Sequence, residues 1–445
     1  MTVGAPVLAQ TARPNIIFIL TDDQRWDALG FAGNSAIRTP EMDRLALEGI
    51  YFENAFVTTP ICAASRASIL TGLYERTHQY TFGQGDIGQP YMDASYPVIL
   101  RKAGYYTGFY GKFGVQYPGF SSLFDEGENY DRDDALKDRR GYFYKTVGQD
   151  TVHLTRYTGQ KAIDFIESAP SDEPFMLSLS FSAPHAHDPA ELQYFWSPEF
   201  DTVYQHWEAP SALLGDDVFF DALPEYVKSG ENRKRWFWRF DTPEKYQHSV
   251  KGYYRMISEV DAEIGKIRAA LRENGLEENT VIVLVGDNGY FMGERQLAGK
   301  WLMYDNSLRV PLILYDPRVE RGTRSADLAL NIDVAPTLAD LAGINPPGSW
   351  QGVSLLSKEL NDREEFLIEH LWQVTFIPPS EGIRTTRWKY FRYINDPEHE
   401  EMYDLENDPM EMSNLARSSA YLGQLDTLRS RMEGLSESLE RDRLK

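Results

Sequence analysis

NIIFILTDDQ (residues 15–24) and TVIVLVGDNG (residues 280–289) are the stretches whose reading decides the fold. Each opens with an unbroken apolar run rich in β-branched side chains, which is the pattern of a strand buried on both faces. Each run then gives way at once to polar turn residues: Asp22 and Asp23 in one case, Asp287 and Asn288 in the other. Strands buried on both faces belong to parallel sheets covered by helices, and open α/β sheets place their chemistry at the carboxyl ends of the strands.

The same alternation extends outward from these two runs. Pro40–Gly49 has helical spacing and a glycine stop, Tyr51–Val57 reads as a strand, and Ser65–Leu73 reads as a helix beginning just after Cys62. Pro97–Gly104 (helix) leads to Tyr106–Tyr110 (strand) and a GKFG turn, and Gln160–Ser168 (helix) leads to Phe175–Phe181 (strand) and a PHAH turn. Tyr253–Asn274 is a long amphipathic helix feeding the strand at 280. Four strands ending in polar motifs predict an α/β fold built on one large, mostly parallel sheet sandwiched by helices. The expected organisation is a leader over residues 1–13, a catalytic α/β domain over 14–346 and a smaller α+β subdomain over 347–445. Residues 185–253 form an irregular insertion whose Trp196, Trp207, Trp236 and Trp238 serve either as a satellite core or as platforms for a sugar ring.

Composition narrows the partners. The 67 acidic residues against 45 basic ones give a net charge of −22, which argues against a general nucleic-acid binder, so any site for an anion must be local. No apolar run is long enough to span a bilayer. Small residues around Val7 and Ala9 stand at the spacing of a signal-peptidase site, which points to a periplasmic or secreted protein. One cysteine rules out an intrachain disulfide and a cysteine-based zinc cluster.

Asp22, Asp23, Asp287 and Asn288 supply three carboxylates and an amide carbonyl. An all-oxygen set of this kind suits Ca²⁺, with Mg²⁺ second, and suits zinc poorly. In TPICAASRASILTGLY (residues 59–74), Cys62 and Arg66 stand at a loop-to-helix junction, where backbone amides and the helix dipole favour an anion or a thiolate. From the residues alone, Cys62 is open to three readings: a buried structural thiol, a thiol nucleophile paired with a histidine, or a modified nucleophile.

TPICAASRASILTG resembles the signature of the formylglycine-dependent sulfatases, type I sulfatases of the alkaline phosphatase-like superfamily, in which a cysteine followed at fixed spacing by arginine is oxidised to formylglycine. Ala64 stands where many members have proline. NIIFILTDDQR, GKFG, SAPHAHDP, VLVGDNGYFMGER, GKWLMYDNSLRVPLI and EEMYDLENDPMEMSNLA follow in family order, so the resemblance spans nearly the whole chain and looks strongest to bacterial polysaccharide sulfatases. It implies that Asp22, Asp23, Asp287 and Asn288 hold calcium together with the formylglycine made from Cys62 by a maturation enzyme. It further implies that Arg66, Lys112 and Lys300 balance charge on the sulfate, and that His185 with Lys300 protonates the departing alcohol.

One position departs from the family pattern. Gly114 stands where many sulfatases carry a histidine two residues after the lysine, with His78 and His187 the nearest replacements by motif context. The implied substrate is a sulfated carbohydrate, from algal polysaccharide or glycosaminoglycan, with His78, His187, Arg239 and Arg384 as contacts. Alternatives are hydrolysis of small aryl sulfates, hydrolysis of phosphonate or phosphate monoesters, and non-catalytic binding of a sulfated glycan. Asn288 beside Asp287, where phosphoryl-transferring relatives often place histidine, favours sulfate.

Overall fold

A computed structural model describes residues 13–319, 322–374 and 376–443. The leader expected over residues 1–13 lies, Arg13 apart, outside the described residues. Among those described, no helix is long and apolar enough to cross a membrane.

The main sheet contains eight strands: β1 Asn15–Thr21, β2 Ile50–Phe56, β3 Tyr106–Gly111, β4 Glu126–Asn129, β5 Phe175–Phe181, β6 Thr280–Gly286, β7 Leu312–Tyr315 and β8 Thr323–Leu330. Their spatial order is β8-β2-β7-β6-β1-β5-β3-β4, and every pairing is parallel except those of β7 with β6 and β2. The helices that matter below are α1 Pro40–Glu48, α2 Cys62–Thr71, α3 Tyr96–Lys102, α4 Leu154–Ser168, α5 Glu231–Arg239, α6 Pro243–Glu273, α7 Val334–Leu341 and α8 Leu422–Arg441.

The two opening stretches are adjacent central strands, paired in register from Asn15 with Thr280 to Thr21 with Gly286. Because side chains alternate along a strand, each strand feeds two cores. Ile16, Phe18, Leu20, Val281, Val283 and Val285 face one core, which α2, α3 and α7 cover. Ile17, Ile19, Ile282 and Leu284 face the other, covered by α1, α4 and α6. Truncating Ile17, which is wholly buried, to alanine would open a cavity costing about 2–5 kcal/mol.

Residues 365–404 form an antiparallel sheet of β9 Glu365–His370, β10 Ser380–Thr385, β11 Trp388–Tyr393 and β12 Asp396–Asp404, followed by α8. Its Phe366, Ile368, Tyr390 and Phe391 join the same core as α2. Residues 384–393 hold the end of β10, a turn and β11, and the acidic EHEEMYD lies in the edge strand β12.

Two other expectations are corrected. Residues 185–253 are not irregular throughout: they hold α5, shorter helical turns and the first turns of α6, which begins at Pro243 rather than Tyr253. Thr242 caps α6 by accepting from Lys245 N at 3.3 Å, with Pro243 at the first helical position. α2 likewise begins at Cys62 itself, and not three residues later.

Candidate active site

The polar residues that follow β1, β3, β5 and β6 converge at one end of the sheet, where a parallel arrangement directs all four strand ends. Asp22 and Asp23 leave β1, Lys112 leaves β3, His185 leaves β5, and Asp287 and Asn288 leave β6. Asp23 N donates to Asp287 Oδ1 at 3.0 Å and Asp287 N to Thr21 O at 2.9 Å, so the two acidic turns lock together. Asp23 holds φ +64°, a left-handed conformation that aspartate adopts at a cost.

Cys62 enters from the opposite core as the first residue of α2. Ile61 before it is extended and gives no side-chain cap, which leaves the first-turn amides of α2 available to an anion. Every residue of α2 is buried, which Ala63, Ala64 and Ala67 permit by their size, and Gly72 ends the helix at φ +65°. One turn on from Cys62, Arg66 is 2 % exposed and spans the site. Its Nε donates to Asp287 Oδ2 at 2.8 Å, its Nη1 to Lys112 O and Ser180 Oγ at 2.6 Å each, and its Nη2 lies 3.4 Å from Asp22. The Cys62 thiol is within electrostatic range of Arg66, Lys112 and Lys300.

Two lysines complete the cluster. Lys112 Nζ contacts Asp22 Oδ2 at 2.5 Å and lies 3.6 Å from Asp131. Lys300 Nζ contacts Asp23 Oδ1, and is 3.8 Å from Asp22. Burial opposes the charge on each lysine, but contact with Asp23 for Lys300 and with Asp22 for Lys112 prevails and holds both above the usual lysine range. Against the same burial, the Lys112, Lys300 and Arg66 charges keep Asp22 well below the carboxylate range. Burial and the Asp22 charge raise Asp287 to about 6.

His185 places Nε2 3.6 Å from Asp23 Oδ2, and its Nδ1 is 2.6 Å from Ala186 O. A carbonyl accepts only, so Nδ1 carries the ring proton. Burial, followed by the nearby Arg132 charge, depresses His185 well below the imidazole range, and the ring is neutral.

Asp22 Oδ1 and Asn288 Oδ1 are buried without any hydrogen-bond donor. Orphaned buried oxygens are costly in water-excluded surroundings unless a cation satisfies them. Asp22, Asp23 and His185 also bring three donor atoms within 4.8 Å of one another. The oxygen-rich set fits a hard divalent cation, and Asn288 Nδ2, donating to Asp23 Oδ1 at 2.7 Å, turns its own carbonyl oxygen away from that bond.

The sulfatase family model matches residues 14–344, and the model of the N-sulphoglucosamine sulphohydrolase C-terminal region matches residues 293–438. The chain belongs to the sulfatase family. An arylsulfatase of Clostridium perfringens is 30 % identical over 94 % of this chain and 93 % of its own length. An N-acetylglucosamine-6-O-sulfatase of Bacteroides thetaiotaomicron is 28 % identical over 94 % and 85 %. Among solved structures, a protein in complex with its substrate D-glucosamine-2-N,6-O-disulfate superposes with TM-score 0.80 at 24 % identity, covering 96 % of this chain and 98 % of that one. A phosphonate monoester hydrolase of Silicibacter pomeroyi gives TM-score 0.79 at 21 %, covering 96 % and 95 %. The alkaline phosphatase-like fold is thus common to both chemistries, and the family model with the sequence relatives identifies this chain as a sulfuric ester hydrolase.

In this sulfatase, the four residues expected to touch substrate are each engaged with other protein groups. His78 is 2 % exposed, with Nε2 3.0 Å from Ser68 Oγ and Nδ1 accepting from Tyr80 N, and burial drops it to about 3. His187 is wholly buried, with Nε2 2.5 Å from Leu136 O and its ring against Tyr142 and Phe195. Arg239 is buried and donates to Gln193 Oε1 at 2.6 Å, to Tyr290 OH and to Asp188. Arg384 bonds Asp305 and Thr385 O and stacks its guanidinium 4.3 Å from the Phe56 ring centroid. All four shape the walls or join the sheets. Trp207 stacks on Tyr254 and Trp196 on Arg255 and His248, which makes these two part of a satellite core.

The glycine at 114 is obligatory. It sits at φ +70°, and a Cβ there would lie 2.6 Å from Arg66 Cδ, so a histidine cannot replace it without displacing the buried arginine. Two residues beside the site went unread in the sequence, Asp131 and Arg132. They leave the carboxyl end of β4, a strand whose EGEN sequence carries no apolar signal, and a fifth polar pair at a strand end was the available clue.

Proposed function

We propose that this sulfatase removes sulfate from a sulfated carbohydrate, through a formylglycine made from Cys62 and a calcium ion held by Asp22, Asp23, Asp287 and Asn288. The donorless, buried Oδ1 atoms of Asp22 and Asn288, next to the uncapped start of the Cys62 helix, carry this reading. Calcium held there would supply Lewis-acid polarisation of the sulfate and would offset the carboxylate charge. Formylglycine at 62 would supply the oxygen nucleophile toward sulfur and a second hydroxyl for the release of sulfate.

The chain's own residues do the rest. Arg66, fixed by three hydrogen bonds, keeps Asp287 oriented and leaves Nη2, 3.4 Å from Asp22 and without a hydrogen bond, for a sulfate oxygen. Asp287, raised to about 6, takes a proton from the nucleophile near neutral pH. Lys112 and Lys300 line the site with cations that strengthen against a transition state carrying more charge on its oxygens. Lys300 holds a proton for the departing alcohol, whereas His185 has its one proton committed to Ala186 O and gains a donor at Nε2 only when the anionic ester joins it. With glycine at 114, Asp131, 3.6 Å from Lys112, is a carboxylate available to the release step.

The N-acetylglucosamine-6-O-sulfatase relative supports a sugar substrate, and passage to the periplasm or beyond fits a polysaccharide too large to enter the cell. Desulfation assays on defined sulfated oligosaccharides, beside an aryl sulfate and phenylphosphonate, test the reading. Release of sulfate from at least one glycan is expected. Turnover confined to the small aryl sulfate would overturn the carbohydrate assignment, and a phosphonate rate far above every sulfate rate would overturn the reaction class.

A further inference from the structure

Arg132 is a buried cation that the proposed chemistry leaves unused. Its side chain is 8 % exposed, and its Nε and Nη1 have no hydrogen-bond partner. Its nearest ion partner is Asp131 at 3.6 Å, beyond hydrogen-bond reach, and Asp131 is shared with Lys112 at the same distance. By contrast Arg66, Lys112 and Lys300 each meet a carboxylate at hydrogen-bond distance.

The guanidinium adjoins the site through Asp131, which lies 3.6 Å from Lys112. It is the charged group with the largest effect on His185, and it acts also on Asp22 and Asp188. Asp188, three residues after His185, is already bound by Arg239 and by Arg235 at 2.8 Å. Two arginines therefore already compensate Asp188, and Arg132, whose partner Asp131 is shared with Lys112, keeps the least compensated positive charge beside it. A desolvated guanidinium whose Nε and Nη1 are unbonded, and whose one carboxylate partner is shared, suits an oxyanion, and its planar donor array fits a carboxylate or a sulfate.

We propose that Arg132 is a specificity-determining residue that binds a second oxyanion of the substrate, a carboxylate or a further sulfate, beside the sulfate ester being cleaved. The inference deepens the proposed function and rests on that reading for its sugar substrate. A substrate with a single sulfate leaves Arg132 unpaired, whereas one with two anionic groups neutralises it. Discrimination of this kind arises because a site built around a charged partner loses more when the partner is missing than it gains from an ordinary contact.

The test compares wild type with Arg132→Gln and Arg132→Lys, each checked by intact mass for equal conversion of Cys62 and by melting for a retained fold. kcat/KM is measured on a neutral monosulfated N-acetylglucosamine, a glucosamine disulfate, a monosulfated uronate, 4-nitrophenyl sulfate and a carboxylate-bearing aryl sulfate. Wild type should favour the doubly anionic member of the sugar or aryl set by about tenfold or more, as a charge-assisted bond supplies. In Arg132→Gln that preference should fall below about threefold, with the singly anionic substrate changed by less than about threefold. Arg132→Lys should retain part of the preference. The uronate and disulfate arms separate carboxylate from sulfate.

Equal slowing of singly and doubly anionic substrates in Arg132→Gln would overturn the proposal, since Arg132 would then serve the scissile sulfate. So would a wild type without preference. If no sugar is turned over but the aryl pair shows an Arg132-dependent preference, the carbohydrate reading fails and this proposal stands. If sugars are turned over without such a preference, the reverse holds.

Discussion

Two of the buried charge clusters in this sulfatase are built differently. The first is the strand-end cluster around Asp22, Asp23, Asp287, Arg66, Lys112 and Lys300. The second joins the two sheets: Arg384 meets Asp305 at 3.2 Å, Lys389 bridges Asp305 and Glu411 (the latter at 2.5 Å), and Asp305 N donates to Glu411 Oε2 at 2.9 Å. In the joining cluster Asp305, Arg384, Lys389 and Glu411 have no buried donor or acceptor without a partner among the described residues. In the strand-end cluster Asp22 Oδ1, Asn288 Oδ1 and Arg66 Nη2 are all left open. Burial alone does not separate these two clusters; the unpartnered atoms of the strand-end cluster, gathered beside Cys62, do.

The largest effect that can break this comparison comes from Cys62→Ala. Turnover of any sulfate ester should fall by roughly four orders of magnitude or more, with the melting temperature within about 2 °C of wild type. Steady-state kinetics and calorimetry read the two separately.

Asp287→Asn removes the Arg66 partner and one oxygen donor together. kcat/KM should drop roughly 10²–10³-fold, while the stability of the metal-free protein changes by less than about 1 kcal/mol, because ionised Asp287 is already disfavoured by burial and by Asp22. Asp305→Asn should do the opposite. Losing the acid that pairs Arg384 and Lys389 leaves buried cations and costs about 3 kcal/mol in denaturant unfolding, with kcat changed by less than about twofold. If the two variants exchanged these outcomes, the division into functional and structural clusters would be wrong.

The smallest effect lies where the Cys62 helix meets the second sheet. Burial raises Glu75 to about 8 and Glu369 to about 7 from their ordinary 4.5. Between those values the folded protein keeps protons that the unfolded chain releases, so stability is greatest below 4.5 on account of these groups and declines as pH rises toward 7 and 8. The melting temperature at pH 8.5 should be lower than at pH 5.5, and Glu75→Gln should flatten the slope. An unchanged slope would show that these acids are ionised in the folded state.

The sequence made the central sheet legible because β1 and β6 are unbroken apolar runs, and the acid pairs directly after them could be placed at strand ends. It hid β4, whose EGEN has neither β-branched nor aromatic residues, and with it Asp131 and Arg132. The first turns of α6 were missed because PEKYQHSVKG has little apolar periodicity, although Thr242 and Pro243 carried a capping signal. His78, His187, Arg239 and Arg384 show the general limit: a motif fixes where a residue falls in the chain, but the direction of its side chain depends on partners such as Ser68, Leu136, Asp188 and Asp305 that lie elsewhere in the sequence.

The most direct test of the strand-end cluster is sulfate-ester turnover by metal-stripped protein whose Cys62 conversion has been verified by mass. Turnover should be absent until calcium is returned, and should then rise with calcium to the untreated rate. Full turnover in the stripped protein, indifferent to added calcium, would contradict the assignment of Asp22, Asp23, Asp287 and Asn288 as a cation site.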